Sequence, residues 1–150
     1  MQSRRRRPGV AATAVALGVS LILLSGCGDL SRDELTRGVE SIAALAAQGQ
    51  LVANGVARDA TKSTYARVMA KTLGGEAEHE AEKLADAEPS PQVRPERNAA
   101  VQVATELADL FSELQTFPGD ERHGALVEQH MGEVEAQAEA LVERLGGDAG

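Results

Sequence analysis

The chain has 150 residues, of which 43% are hydrophobic and only 2% aromatic, and it carries a formal net charge of −8 at pH 7. This length is enough for one domain with a core of its own, and the single cysteine, Cys27, excludes an internal disulfide. Because Tyr65, Phe111 and Phe117 are the only aromatic residues, a core must consist mainly of Leu, Val and Ala, which favours packed helices over a sheet.

The first 26 residues have the order of an export signal. Four arginines at positions 4 to 7 precede an apolar run of 16 residues, and small residues follow it. A run of that length is at or below the short limit for a membrane-spanning helix, which is about 17 residues. The order of basic, apolar and small residues is typical of a signal peptide. We therefore expect residues 1–26 to be removed during export.

The residues around the cysteine add a more specific signal. Leu24, Ser25, Gly26 and Cys27 resemble the lipobox of bacterial lipoproteins, in which an aliphatic residue, a small residue and Gly or Ala precede the cysteine. The resemblance implies that the Cys27 thiol receives a diacylglyceryl group and that cleavage falls between Gly26 and Cys27. It also implies that the new N-terminus receives an N-acyl chain such as palmitate. No other cofactor is expected.

A lipid on Cys27 would hold the protein at the cell membrane, on its extracytoplasmic face, with residues 27–30 as a short tether. One acyl chain binds a bilayer only marginally, whereas two hold a protein stably. Two alternatives stay open, namely an uncleaved N-terminal anchor helix and an ordinary secretory signal with a chance cysteine. The residues after the cysteine, Gly28 and Asp29, leave the choice between inner and outer membrane open for a source with two membranes.

Cleavage would make the exported body strongly acidic. Residues 1–26 hold four of the 15 basic residues and none of the 23 acidic ones, so the rest of the chain has 11 basic and 23 acidic residues and a net charge of −12. Such a body is repelled by nucleic-acid phosphates and by anionic lipid head groups. We expect no nucleic-acid partner, and a charged protein partner should be basic or cationic.

Hydrophobic residues after Cys27 recur at helical spacing, with no alternating strand pattern. A first helix is predicted over residues 31–53, because Ser31 and Glu34 form a capping box and the sequence "VANGV" suggests a turn. A second helix is predicted over residues 59–87, capped by Asp59 and continuing as one long helix, straight or kinked, through its double glycine. Its expected apolar stripe comprises Tyr65, Met69, Leu73, Ala77, Ala81 and Leu84.

The second half of the chain predicts two more helices after a linker at residues 88–95. Helix three is expected over residues 96–117, with a seam of Ala100, Val103, Leu107, Leu110, Leu114 and Phe117. Helix four is expected over residues 120–145, capped by Asp120, with a stripe of Val127, His130, Val134, Ala138, Leu141 and Leu145. The predicted fold of residues 31–150 is therefore an all-α, antiparallel up-down four-helix bundle.

Chemically active residues are few, and we expect the protein not to be an enzyme. The sequence has no G-x-S-x-G elbow and no glycine-rich phosphate loop, and its only thiol is assigned to lipid. The candidate metal ligands are Glu76, His79 and His130, since Glu-x-x-His steps occur in metal-binding bundles. The competing interpretation is a solvated charged face, on which Glu80 pairs loosely with Lys83.

These patterns together predict a lipid-anchored, extracytoplasmic helical-bundle lipoprotein. We expect it to act by contact with other proteins or with the cell envelope. The alternative is a lipoprotein that binds a metal or a small ligand through its bundle core.

Overall fold

The computed structural model describes residues 30–147, and within that range the chain forms four α-helices and no strand. The helices are α1 (Arg32–Ala57), α2 (Ser63–Asp86), α3 (Arg94–Thr116) and α4 (Glu121–Gly147). The only sheet-like pairing in this range is an isolated bridge between Leu30 and Pro89. The predicted all-α class is confirmed.

The helices pack as an antiparallel bundle. Helix α1 packs most extensively against α4, and α2 against α3, while α1–α2 and α3–α4 contacts are smaller and α2 does not contact α4 in the described chain. Helices α2 and α4 are thus diagonal neighbours, as expected for up-down topology. The proximal end, as we name it, holds Leu30 and the α2–α3 connection at residues 87–93. The distal end holds the connections at residues 58–62 and 117–120.

The core is entirely apolar. No polar or charged residue between positions 30 and 147 is buried, so hydrophobic burial and close packing hold the helices together. The largest fully buried side chains come from all four helices: Phe111, Leu35, Ile42, Leu84, Leu107, Leu114, Met131, Leu141, Val39, Val127 and Val134.

Phe111 is the only fully buried aromatic side chain of this core, and glycines on two other helices make room for it. A Cβ atom at Gly49 of α1 would lie 2.8 Å from Phe111 Cε1 and 2.5 Å from Met131 Sδ. A Cβ atom at Gly74 of α2 would lie 3.1 Å from Phe111 Cβ. Side chains from α3 and α4 therefore fill space that a larger residue on α1 would occupy.

Gly124 sets how closely α4 approaches α1 at the distal end. A Cβ atom there would lie 2.7 Å from the backbone N of Ala57 and 3.1 Å from the backbone O of Ala53. Backbone atoms cannot rotate away as a side chain does, so this approach requires glycine. Gly75 contrasts with Gly124, because a Cβ atom added to it would meet nothing within 4 Å.

Two predicted helix caps are confirmed. The Ser31 hydroxyl accepts a hydrogen bond from the Glu34 backbone N–H at 3.2 Å, and the Glu34 carboxylate accepts one from the Ser31 backbone N–H at 3.0 Å. At the start of α4, the Asp120 carboxylate accepts a hydrogen bond from the His123 backbone N–H at 2.9 Å. Each cap satisfies N–H groups that have no partner within the helix.

Helix α2 runs unbroken through Gly74 and Gly75, as predicted, but the predicted turn in "VANGV" is wrong. Helix α1 continues to Ala57 because Val52 and Val56 are buried in the core. Tertiary packing therefore outweighs the weak helix propensity of the glycine in that stretch.

The predicted cap at Asp59 is also wrong. Asp59 has a φ of 51°, in the left-handed region, and its N–H donates to the Val56 carbonyl at 3.0 Å. It therefore closes the end of α1 rather than starting α2, whose N-cap is Lys62. Aspartate is one of the few residue types other than glycine that adopt this conformation at modest cost.

Two residues that the sequence places on the apolar stripes of α2 and α3 are exposed at the distal end of the bundle. Tyr65 is 56% exposed and Phe117 is 43% exposed, although each continues a stripe that is otherwise mostly buried. On α2 the buried positions at this end are Ala66 and Ala70. Helix α3 begins at Arg94, inside the predicted linker, with Pro95 in its first turn. Proline is tolerated there because an N–H group in the first turn has no partner within the helix.

Gly124, which is buried, and Gly75, which is exposed, give a matched stability test. We expect Gly124→Ala to lower the free energy of unfolding by up to about 2 kcal/mol, because overpacking costs about 1–3 kcal/mol and the helix-propensity gain of about 1 kcal/mol offsets part of it. Gly75→Ala should raise the free energy of unfolding by about 0.5–1 kcal/mol. Urea denaturation measures both, and stabilisation by Gly124→Ala would contradict the close α1–α4 approach.

The Asp120 cap predicts a pH dependence. The hydrogen bond from the His123 backbone N–H holds the pKa of Asp120 in the folded protein below its ordinary value of 3.8. The ionised Asp120 therefore stabilises the fold fully above pH 3.8, and this stabilisation is lost as the pH falls through the lower pKa of the folded state. Asparagine can still accept the capping bond but does not titrate. The difference in unfolding free energy between wild type and Asp120→Asn should be constant near neutral pH and shrink below about pH 4. Urea denaturation at each pH measures it, and a difference that does not change with pH would contradict this account.

Candidate functional site

The residues that resemble a lipobox, Leu24, Ser25, Gly26 and Cys27, lie outside the described residues. The structure does describe the point where the predicted tether joins the bundle. The Leu30 backbone N–H donates to the Glu88 carbonyl oxygen at 2.6 Å, and the Leu30 side chain packs against the core. The chain is therefore fixed to the α2–α3 connection one residue before the Ser31 cap.

The last turn of α4 meets the first turn of α1 at the same end of the bundle. The Arg32 guanidinium donates to the Leu145 carbonyl oxygen at 3.0 Å. That carbonyl lies in the last turn of α4, where carbonyls lack partners within the helix. The start of the bundle is thus held by two backbone carbonyls from different parts of the chain, Glu88 and Leu145.

Two of the three candidate metal ligands lie together on α2. Glu76 and His79 are both exposed and line an open depression of about 410 Å³ between α1 and α2. Glu80 lines the same depression, and its carboxylate accepts a hydrogen bond from Lys83 Nζ at 3.2 Å. The depression is open to solvent, as the charged-face interpretation also expects.

The third candidate, His130, was predicted on the apolar stripe of α4, and that placement is wrong. His130 is exposed, and Met131 takes the core position beside it. Since α2 and α4 do not contact each other in the described chain, His130 does not meet Glu76 or His79. No group of three or more His, Cys, Asp or Glu side chains in residues 30–147 is arranged to hold a metal ion.

His123 has a local role at the distal end. Its ring stacks on Phe117 with centroids 4.2 Å apart, and its Nδ1 lies 3.5 Å from the Asp120 carboxylate. These contacts tie the end of α3 to the start of α4, so the α3–α4 connection is stabilised from both of its sides.

An open groove of about 730 Å³ lies between α3 and α4, towards the proximal end. Its lining mixes apolar and polar side chains: Ala99, Val103, Ala140, Leu141, Gln102, Glu106, Gln137, Glu143 and Arg144. Neither a histidine nor a hydroxyl group lines it, and its charged side chains are Glu106, Glu143 and Arg144.

Polar contacts mark the interface between α1 and α4. The Asn54 side-chain amide donates to the Glu128 carboxylate at 2.6 Å, and the Gln50 amide donates to the Glu135 carboxylate. Both bonds lie at the edge of the apolar core, where they fix the register of the two antiparallel helices.

The distal half of the bundle displays the large exposed hydrophobic side chains of the described chain. They are Leu51, Tyr65, Val68, Phe117 and Leu126, each at least 43% exposed. The sequence patterns did not identify Val68 and Leu126 as exposed hydrophobic residues. The signal available in the sequence was that both fall outside the predicted apolar stripes. Exposed hydrophobic residues that cluster on one part of a surface are typical of interaction sites.

No protein-family model, curated protein or solved structure matches this chain. Within residues 30–147, no helix has both the length and the apolar content needed to cross a membrane. The function must therefore be inferred from the residues and surfaces described above.

The separation of the metal candidates gives a direct test by zinc titration calorimetry of the wild type, His79→Ala and His130→Ala. No three ligands converge within residues 30–147, so the wild type should bind zinc only weakly. Because Glu76 and His79 share one depression and His130 lies on a diagonal helix, that weak binding should fall in His79→Ala and stay unchanged in His130→Ala. Equal loss of a single zinc site in both variants would contradict the described arrangement.

Proposed function

We propose that the protein is a lipid-anchored lipoprotein on the extracytoplasmic face of the cell membrane, and that its helical bundle acts by contact with other proteins or the envelope. The observation that carries the proposal is the short distance between the lipobox cysteine and the fold. Only Gly28 and Asp29 separate Cys27 from Leu30, and Leu30 is hydrogen-bonded to the bundle.

This short tether would set the orientation of the bundle. Three residues of extended chain span at most about 10–11 Å, so a lipid on Cys27 holds the proximal end next to the bilayer surface. The distal end, with its exposed hydrophobic side chains, then faces away from the membrane. The surface most suited to protein contact is therefore the one presented to the surroundings.

Charge supports an anchored rather than an electrostatically bound protein. The chain after Gly26 carries a net charge of −12, which anionic head groups repel. Two or three acyl chains overcome that repulsion because each buried methylene contributes about 0.8 kcal/mol. The same charge favours a basic or cationic protein partner and accelerates its encounter, and it opposes nucleic-acid binding.

Contact is also the function that the described interior supports best. The core of residues 30–147 is filled by apolar side chains from all four helices, and the depressions on the surface are open. Specificity would then come from exposed side chains rather than from an enclosed ligand pocket.

The anchor is tested by expressing the full chain and Cys27→Ala in a bacterial host that processes lipoproteins. Intact-mass spectrometry of the wild-type membrane fraction should show loss of residues 1–26 and the added mass of a diacylglyceryl group. Cys27→Ala should carry no lipid and should accumulate as precursor or appear in the medium. Membrane-bound, acylated Cys27→Ala would overturn the proposal.

Ser25→Ala is the matched control, because it keeps a small residue in the lipobox and leaves Cys27 in place. It should be cleaved, acylated and membrane-bound like the wild type. A wild-type mature protein that starts elsewhere than Cys27, or that has no lipid mass, would also overturn the proposal.

A further inference from the structure

Two exposed faces of the distal half carry opposite charge. Residues 58–75, which span the α1–α2 connection and the first half of α2, contain four basic residues and one acidic residue. Residues 98–121, which span most of α3 and the start of α4, contain five acidic residues and no basic one. In a chain with so large an acidic excess, the basic stretch stands out as a local reversal of charge.

The basic face consists of Tyr65, Arg67, Val68 and Lys71, all exposed on α2. Val68 is 57% exposed and lies three residues from both Tyr65 and Lys71, which places the three side chains on one side of the helix. Arg67 and Lys71 are four residues apart, so they follow each other in one row along the helix, beside Val68. The face therefore joins an apolar centre to two cations.

The acidic face consists of Asp109, Glu113 and Phe117 together with Leu126 of α4, all exposed. The first three follow at intervals of four, which places them along one side of the end of α3. Leu126 is 55% exposed. This face therefore joins two exposed hydrophobic side chains to two anions.

Measured from the distal ends of their own helices, the charges of the two faces lie at similar distances. Arg67 and Lys71 lie about 6 and 12 Å from the distal start of α2, at a rise of about 1.5 Å per residue. Glu113 and Asp109 lie about 4.5 and 10.5 Å from the distal end of α3. Each cation therefore has an anion whose distance from the distal end is within about 2 Å of its own.

The hydrophobic side chains also match in this distance, since Val68 and Leu126 each lie about 7.5 Å from the distal start of their helices. None of the four charged side chains Arg67, Lys71, Asp109 and Glu113 forms an ion pair or side-chain hydrogen bond within the described chain. Their charges are thus available to an external partner.

We propose that the basic face of one copy docks against the acidic face of a second copy standing in the same orientation. Each contact pairs Arg67 with Glu113, Lys71 with Asp109, and the exposed hydrophobic side chains with one another. The contact is heterologous, so every copy keeps one free basic face and one free acidic face, and copies can add into a row.

This inference names a partner for the proposed function and rests on it for the shared orientation of the copies. A lipid anchor at each proximal end holds all copies in the same orientation on one membrane. The paired side chains of neighbouring copies then lie opposite one another. Confinement to a membrane also raises the effective concentration of copies, which suits a contact built from exposed ion pairs of small individual strength.

Charge reversal gives a sharp test on the full-length protein in mild detergent, by sedimentation over a range of protein and salt concentrations. The wild type should self-associate, because the local ion pairs offset the repulsion between two chains that each carry a net charge of −12 after Gly26. Arg67→Glu/Lys71→Glu presents acid on both faces, and Asp109→Lys/Glu113→Lys presents base on both, so each variant alone should be monomeric. An equimolar mixture of the two variants should associate again.

The matched control is Arg94→Glu/Arg144→Glu, which makes the same change in net charge at exposed positions near the proximal end and should associate like the wild type. A monomeric wild type, or two variants that stay monomeric when mixed, would overturn the inference. Loss of association in the first variant but not in the second would overturn it too, because that result indicates that the basic face docks against a surface other than the acidic face of α3.

Mass spectrometry of the same samples separates this inference from the anchor. A protein that carries its lipid and stays monomeric overturns the docking of copies and leaves the anchor in place. A protein that associates in the predicted pattern without lipid on Cys27 supports the docking and overturns the anchor.

Discussion

The bundle depends on close packing of small residues around one large side chain. Phe111 lies fully buried where the helix backbones of α1 and α2 are left without side chains, at Gly49 and Gly74. Met131 approaches the same space at Gly49. Because no polar or charged residue between residues 30 and 147 is buried, this fit of shapes, rather than any hydrogen bond, selects which helix faces meet. At the distal end, the small residue Gly124 likewise allows α1 and α4 to pack closely.

The packing also gives the two ends of the bundle different characters. At the proximal end the chain enters through Leu30, which is hydrogen-bonded to Glu88, and the Ser31 cap starts α1 at once. At the distal end, hydrophobic side chains such as Val68 and Leu126 stay exposed. In the proposed orientation the first end is held at the membrane and the second is offered to partners. The exposed side chains are thus placed where contact is possible.

Much of the fold could be predicted from the sequence because its causes are local. Helical spacing of Leu, Val and Ala predicted four helices, and the Ser31 and Asp120 caps were identified from residue type and position. The failures concern choices between adjacent faces. His130 continued a plausible stripe, yet Met131 is the buried residue, since the space for it is provided by Gly49 on another helix. The metal candidates are separated for a similar reason, because only the tertiary arrangement makes α2 and α4 diagonal.

The sequence by itself determined the features that depend on neighbours along the chain: the lipobox pattern before Cys27, the helical periodicity, the caps and the acidic excess. These features need no knowledge of the fold, because they follow from residues a few positions apart. Only the tertiary structure decided that α1 extends to Ala57 and that Tyr65 and Phe117 are exposed. Those outcomes depend on residues distant in sequence, and burial against another helix outweighs the small local preferences that the sequence displays.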